Sequence, residues 1–251
     1  MRVSLLRRGV QFLFLLLFLS LLAKTTWPLA PWPAGLELPR HLFLSLDPLA
    51  ALCVLLSPYR SWAVLHVFWP ALVVLVATVV FGRFFCGWLC PLGACIEGAD
   101  SMLERVRKGR IRAVRNVPPH AVKYLLLALV LATAVFGVHL FWVLDPLAAF
   151  TRAYAVVLDS QGRDAYNAMV PLLREVGLRA QPVAERPFAL AAVTGSAFLL
   201  ILLGGLIGTR VWCRGLCPLG ALLGVVGRFG LWRRRAGEAC HTCGRCAHSC
   251  P

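Results

Sequence analysis

Long apolar runs alternate along this chain with short stretches that hold nearly all of its charge. Ser61–Gly82 runs 22 residues without Asp, Glu, Lys or Arg, and Tyr124–Trp142 and Phe188–Thr209 lack them too. About 20 apolar residues cross the hydrocarbon core of a bilayer, so each run predicts a membrane-spanning helix. Gly9–Ala23 is shorter, but its flank can extend it, because Lys24 snorkels and Trp27 suits the interface. That first run also resembles a secretory signal, with a basic start and an apolar core. No small-x-small site follows it directly, which predicts an uncleaved helix. The pattern gives an all-α integral membrane protein with four transmembrane helices.

Composition agrees and charge placement adds a topology. Of the 251 residues 59% are hydrophobic and 15% charged, well below the ~25% charged of ordinary soluble chains. The net charge of +15 is unevenly spread. Residues 83–119 carry seven basic and three acidic side chains, and residues 209–251 carry seven and one. Segments 24–60 and 143–186 are close to neutral. Basic residues thus fall in alternate loops, which predicts both termini in the cytoplasm. The run Arg105–Arg115 reads as a topology-setting loop that meets anionic headgroups, with an acidic redox partner as the weaker option. Nucleic acid is not expected.

The chain repeats itself. His41-Leu-Phe-Leu-Ser-Leu-Asp47-Pro-Leu-Ala-Ala51 matches His139-Leu-Phe-Trp-Val-Leu-Asp145-Pro-Leu-Ala-Ala149, and each copy precedes a Cys-x3-Cys-Pro-Leu-Gly-Ala phrase. The second copy carries an insertion at about Asp159–Arg186, polar enough to predict a surface loop. Each unit holds two spans, so the copies share orientation and predict a pseudo-two-fold axis along the membrane normal. Asp-Pro predicts helix starts, with Asp47 and Asp145 as N-caps. Pro48–Leu56 and Pro146–Leu158 are too short to span and predict interfacial or re-entrant helices. On this topology the Asp residues face the periplasm, opposite the cysteines.

Pro91 and Pro218 predict first helical turns, leaving Cys90 and Cys217 near N-caps. There the helix dipole and Arg83 or Arg210 predict a depressed thiol pKa. Cys86, Cys90, Cys213 and Cys217 then form one two-fold set of four sulfurs, suited to an Fe–S cluster or tetrahedral Zn. Cys240-x2-Cys243-x2-Cys246-x3-Cys250-Pro251 has the spacing of bacterial-type ferredoxin clusters, with zinc as the alternative. In two-cluster ferredoxins the fourth cysteine serves the other cluster, whose remaining ligands do not follow here, so a truncated chain or a second polypeptide is expected, with one cluster bound by all four cysteines as the less usual alternative. Cytoplasmic thiols favour metal binding over structural disulfides. Cys53 and Cys95 read as inert buried thiols. His41, Asp47, His139 and Asp145 are candidates for a catalytic quinol site, because His with a carboxylate can take the two protons of a quinol. The competing reading is interfacial packing. His66 has a weaker reading as a haem ligand, and His241 and His248 read as spacers.

These motifs resemble the NapH-type membrane ferredoxins and the membrane half of NosR-type proteins. Cys86, Cys90, Pro91, Cys213, Cys217 and Pro218 match the paired motif, and Cys240, Cys243, Cys246 and Cys250 match the first ferredoxin motif. The resemblance implies 4Fe-4S clusters, a bacterial inner membrane, and electron transfer from quinol to a partner reductase or maturation system. It makes the chain a candidate quinol-oxidising subunit. The second ferredoxin motif and the flavin-binding periplasmic domain of the NosR kind are not in the sequence. Residues 1–119 and 120–235 are then two membrane repeats, and 236–251 a ferredoxin segment. The alternatives are a metalloenzyme assembly factor whose thiol pairs handle or reduce a metal, and a thiol-switched membrane regulator. With quinol at the periplasmic face, ~30 Å of hydrocarbon would separate it from the cytoplasmic thiols.

Overall fold

The computed structural model describes residues 2–26, 42–59, 66–106, 121–175, 177, 181–184, 191–208 and 210–231. His41, the four cysteines of the terminal motif, His241, His248 and most of the basic run lie outside the described residues. Every regular element described is helical.

The same order of elements occurs twice. The first copy runs α1 (Arg2–Thr26), α2 (Leu42–Ser45), α3 (Pro48–Leu56), α4 (Trp69–Phe81), α5 (Phe84–Trp88) and α6 (Pro91–Val106). The second runs α7 (Ala121–Val135), α8 (Phe141–Leu144), α9 (Pro146–Ala153), α10 (Asp159–Glu175), α11 (Ala191–Leu203), a π-helical turn (Trp212–Leu216) and α12 (Pro218–Val226). Among the described residues α10 and the π-helical turn Tyr154–Leu158 that joins it to α9 have no counterpart in the first copy. Helix α10 occupies the insertion, and corrects the expectation of a loop there. It is anchored by a buried Arg163–Asp159 ion pair one turn apart and by Asn167, which hydrogen-bonds both backbone groups of Val183 at 2.9 Å. Such side chain–backbone pairs read as loop polarity in a sequence.

The two copies interlock. Helix α6 packs on α11 of the second copy, and α12 packs on α4 of the first. Helix α3 lies against α7. The shared core includes Phe18, Leu49, Phe85, Leu92, Leu147 and Leu219, all at most 1% exposed. Phe18 of α1 meets both Phe43 and Phe150, with ring centroids 4.7 and 5.4 Å away. Burying side chains of this size contributes about 1.5–3 kcal/mol each where water is the alternative.

The outer faces are as apolar as the core. Trp69, Leu72 and Val76 on α4, Leu125 and Leu129 on α7, and Val193 and Leu200 on α11 are exposed. By length and composition one helix can cross a membrane, over Leu6–Lys24. The other three expected spans are helical over His66–Phe81, Ala121–Val135 and Ala191–Leu206, each shorter than a full crossing.

Close backbone approach holds the copies in register. A side chain on Gly205 would collide with Asp100 Oδ1 and meet Leu103 Cδ1 at 3.2 Å. Asp100 is fixed in turn, because its Oδ2 accepts from the Arg210 N–H at 3.0 Å. Gly98, on the same helix as Asp100, has open space where a Cβ would stand. Gly205→Ala is therefore expected to cost about 1–3 kcal/mol, and Gly98→Ala to be neutral or stabilising by up to ~1 kcal/mol. Thermal unfolding of the two variants in detergent checks this order.

Candidate functional site

The two cysteine phrases end in the same kind of helix start, and their residue types explain why. Pro91 and Pro218 open their helices at N1, where a missing N–H costs nothing. Cys217 caps α12: its Sγ accepts from Gly220 N–H at 3.3 Å, while its carbonyl accepts from Ala221 N–H at 3.1 Å. The Cys90 carbonyl likewise accepts from Ala94 N–H at 3.1 Å. The glycine of each Pro-Leu-Gly is there for space. A Cβ on Gly93 would stand 3.0 Å from the Cys86 carbonyl, and one on Gly220 would stand 3.3 Å from the Cys213 carbonyl. The helix start thus folds tightly back over the first cysteine, and both sulfurs of a pair come to one side.

The interlock then brings the two pairs together. Cys86, Cys90, Cys213 and Cys217 line one cavity of about 230 Å³. Four cations, Arg83, Lys123, Arg210 and Arg214, line the same cavity. All four cysteines are free thiols. Burial, with repulsion from Cys213, pushes Cys86 up to about 12, and burial pushes Cys213 up to about 11. Burial together with the neighbouring sulfurs holds Cys90 and Cys217 well above the ordinary thiol range. This corrects the expectation of depressed values: the caps and arginines act in the expected direction, but desolvation outweighs them.

The donor set fits a metal–sulfur cluster. Four cysteines line one cavity, cations beside them can balance the charge that thiolates bring, and the space exceeds the roughly 50 Å³ sphere that one zinc–sulfur bond length sweeps out. Among the described residues no three Cys, His, Asp or Glu side chains gather closely enough to hold a single metal ion. Cys53 is fully buried and Cys95 partly so, and neither lines the cavity.

Asp47 and Asp145 stand elsewhere than expected. They are N-caps, as their Asp-Pro steps predict: Asp47 accepts from Leu49 N–H at 2.9 Å, and Asp145 from Leu147 and Ala148 N–H at 2.8 and 3.0 Å. However, α3 and α9 start in the core, where the two carboxyls come within hydrogen-bonding reach of each other. Pro146, next to Asp145, lines the cysteine cavity. The expected separation of a membrane thickness between carboxylates and thiols is therefore overturned. Asp145 Oδ1 is buried with no donor unless a proton joins it to Asp47. His139 is only partly buried, packed edge-on to Phe141 with centroids 5.6 Å apart, and its buried Nδ1 has no hydrogen-bond partner. His66 lies in a 3-10 turn before α4 and does not line the cavity.

Four residues of the site carried no motif. Glu97 takes ion pairs from Arg7 and Arg210, and Gln11 bonds Glu97 at 3.1 Å and the Gly87 carbonyl at 2.7 Å. Lys123 and Arg214 face the cavity. Comparing the copies offers the one signal for them: seven residues after the second cysteine stands Glu97 in one and Gly224 in the other. Arg210 meets that Glu97, and Arg83 lies over Gly224, where a Cβ would collide with its guanidinium. Arg210 holds a positive φ of 51°, a cost that its bonds to Asp100 and Glu97 offset.

Burial raises the Glu97 pKa, but Arg210, Gln11 and Arg7 more than reverse this and hold it below the ordinary value. A depressed folded value stabilises the protein above the unfolded pKa of ~4.3, and that contribution is lost as pH falls through the folded value. Glu97→Gln is expected to cost about 1.5–3 kcal/mol near neutrality and to flatten the acid limb of stability. Melting temperatures of both proteins from pH 7 to pH 3 read it out. A gap that stays constant down to pH 3 would contradict the charge pairing.

A family described as a 4Fe-4S binding domain matches residues 62–110 and 190–236, once in each copy and over each cysteine pair. The chain is 31% identical over 192 residues to the putative electron transport protein YccM of Escherichia coli K12, covering 72% of this chain and 46% of that one. It is 29% identical to the methylamine utilization ferredoxin-type protein MauN of Paracoccus denitrificans, over 98% of this chain and 75% of the relative. It is 27% identical to the ferredoxin-type protein NapH of Haemophilus influenzae, over 72% and 52%. The chain thus spans about half the length of two of these three curated relatives. No solved structure matches.

Proposed function

Since the chain is of the NapH/NosR ferredoxin-like type, we propose that it is a membrane electron-transfer protein with one 4Fe-4S cluster held between its two copies by Cys86, Cys90, Cys213 and Cys217. The observation that carries this reading is the single cavity lined by all four sulfurs and by four cations. Cys240, Cys243, Cys246 and Cys250 are further cluster ligands, on the ferredoxin spacing alone. The exposed apolar faces of α1, α4, α7 and α11 support burial in lipid, with four helices across the bacterial inner membrane and both termini in the cytoplasm.

A bound cluster stores and passes one electron at a time. The chain's own residues supply the rest. Quinol oxidation releases two electrons and two protons. The buried Asp47–Asp145 pair can take one proton, and the unpartnered Nδ1 of His139 offers a second acceptor. His41, equivalent to His139 by sequence, is the other histidine candidate for this role. Because Asp145 adjoins the cysteine cavity, quinol oxidised near the carboxyl pair lies within short electron-transfer range of the sulfurs, and no long gap needs a further carrier. Electrons then leave to a partner redox protein or reductase.

Anaerobic purification, iron and acid-labile sulfide counts, and EPR after adding a quinol analogue test the reading. Quinol-reduced clusters are expected, and Cys86→Ser or Cys213→Ser is expected to lose the cavity cluster's share of the iron. Intact clusters that ignore quinol would remove the quinol role. Unchanged iron with lost activity would move the thiol pairs to thiol chemistry.

A further inference from the structure

The two halves of the cysteine cavity carry the same sulfurs but different charge. On the first side, the helix that packs against the cysteine turn supplies Gln11, a neutral amide bonded to the Gly87 carbonyl and to Glu97. The cation facing that side, Arg210, is neutralised by Glu97. On the second side, the corresponding helix supplies Lys123, 5% exposed, and the further cations are Arg83 and Arg214, the latter where the first copy has Gly87. The position that holds Glu97 on α6 is Gly224 on α12, so Arg83 meets backbone there and no carboxylate. Lys123 makes no ion pair with any described carboxylate; the ring of Tyr124 lies 5.3 Å from its Nζ.

A buried ammonium without a counter-ion is costly, because desolvation is unrecovered. The cost is offset if the cavity holds an anion. Four thiolates around a 2+ cluster core carry a net charge of −2, and one-electron reduction adds another negative charge. A fixed positive charge at the wall favours the more negative state, and low local dielectric strengthens the effect.

We infer that Lys123 sets the reduction potential of the group in the four-cysteine cavity, its uncompensated charge stabilising the reduced form. This rests on the cluster assignment above. The role is electrostatic, so Lys123→Arg keeps it and Lys123→Met or Lys123→Gln removes it.

The test uses the full chain with Cys240, Cys243, Cys246 and Cys250 changed to Ser, so that the signal comes from the cavity. Iron and sulfide are counted, and the EPR signal is followed in a redox titration with dithionite. Lys123→Met and Lys123→Gln are expected to weaken electron affinity at least tenfold, a potential about 59 mV more negative for one electron. Lys123→Arg is expected to stay close to the parent. A potential unmoved in both neutral variants, with iron, sulfide and line shape intact, overturns the inference and leaves the cluster standing. Parent protein without iron or sulfide overturns the cluster assignment itself. If Lys123→Met fails to fold, Lys123→Gln reads the same quantity.

Discussion

Each helix that follows a Cys-Pro step packs against the helix that precedes the cysteines of the other copy, and this exchange brings four thiols face to face. Helix α6 needs α11, and α12 needs α4. Neither copy can close its own site, because each presents only two sulfurs and one face of the cavity. The tight Pro-Leu-Gly turns set the direction of those sulfurs, and the Gly205–Asp100–Arg210 contact keeps the copies in register. A duplicated pair of thiols thereby lines one cavity.

Burial decides how the site behaves. Four thiols removed from water hold their protons, with two of them pushed up to about 11 and about 12 in spite of nearby arginines. Metal binding at these sulfurs would displace those protons, since the ligand form of cysteine is the thiolate, and would give the cations charges to neutralise. The same burial explains the carboxyl pair below: two helix N-termini point at Asp47 and Asp145, which favours one negative charge, while their proximity disfavours two. The carboxyl pair and the four thiols thus share one core, with Pro146 lining the cysteine cavity beside Asp145.

The sequence made much of this legible and missed three parts: the helix in the insertion, the depth of the aspartates and the thiol shift. The Asp-Pro and Cys-Pro steps marked helix starts, because proline restricts the backbone locally whatever the tertiary fold. Helix α3 runs over Pro48–Leu56 as the pattern predicts. The pairing of the cysteine sets followed from the internal repeat. The depth of the aspartates did not, because a loop topology read from charge places residues on a side and says nothing of chains that turn back into the core. The thiol shift went wrong for a related reason: caps and charges are visible in a sequence, and desolvation is not. Lys123 and Glu97 were counted only as charges, since their roles arise from which neighbour each helix meets.

The most direct test of a single shared cluster is native mass spectrometry of the chain with Cys240, Cys243, Cys246 and Cys250 changed to Ser, released anaerobically from detergent. The account predicts the mass of the polypeptide plus one 4Fe-4S unit. A mass of bare polypeptide, or one carrying two separate metal groups, would contradict it.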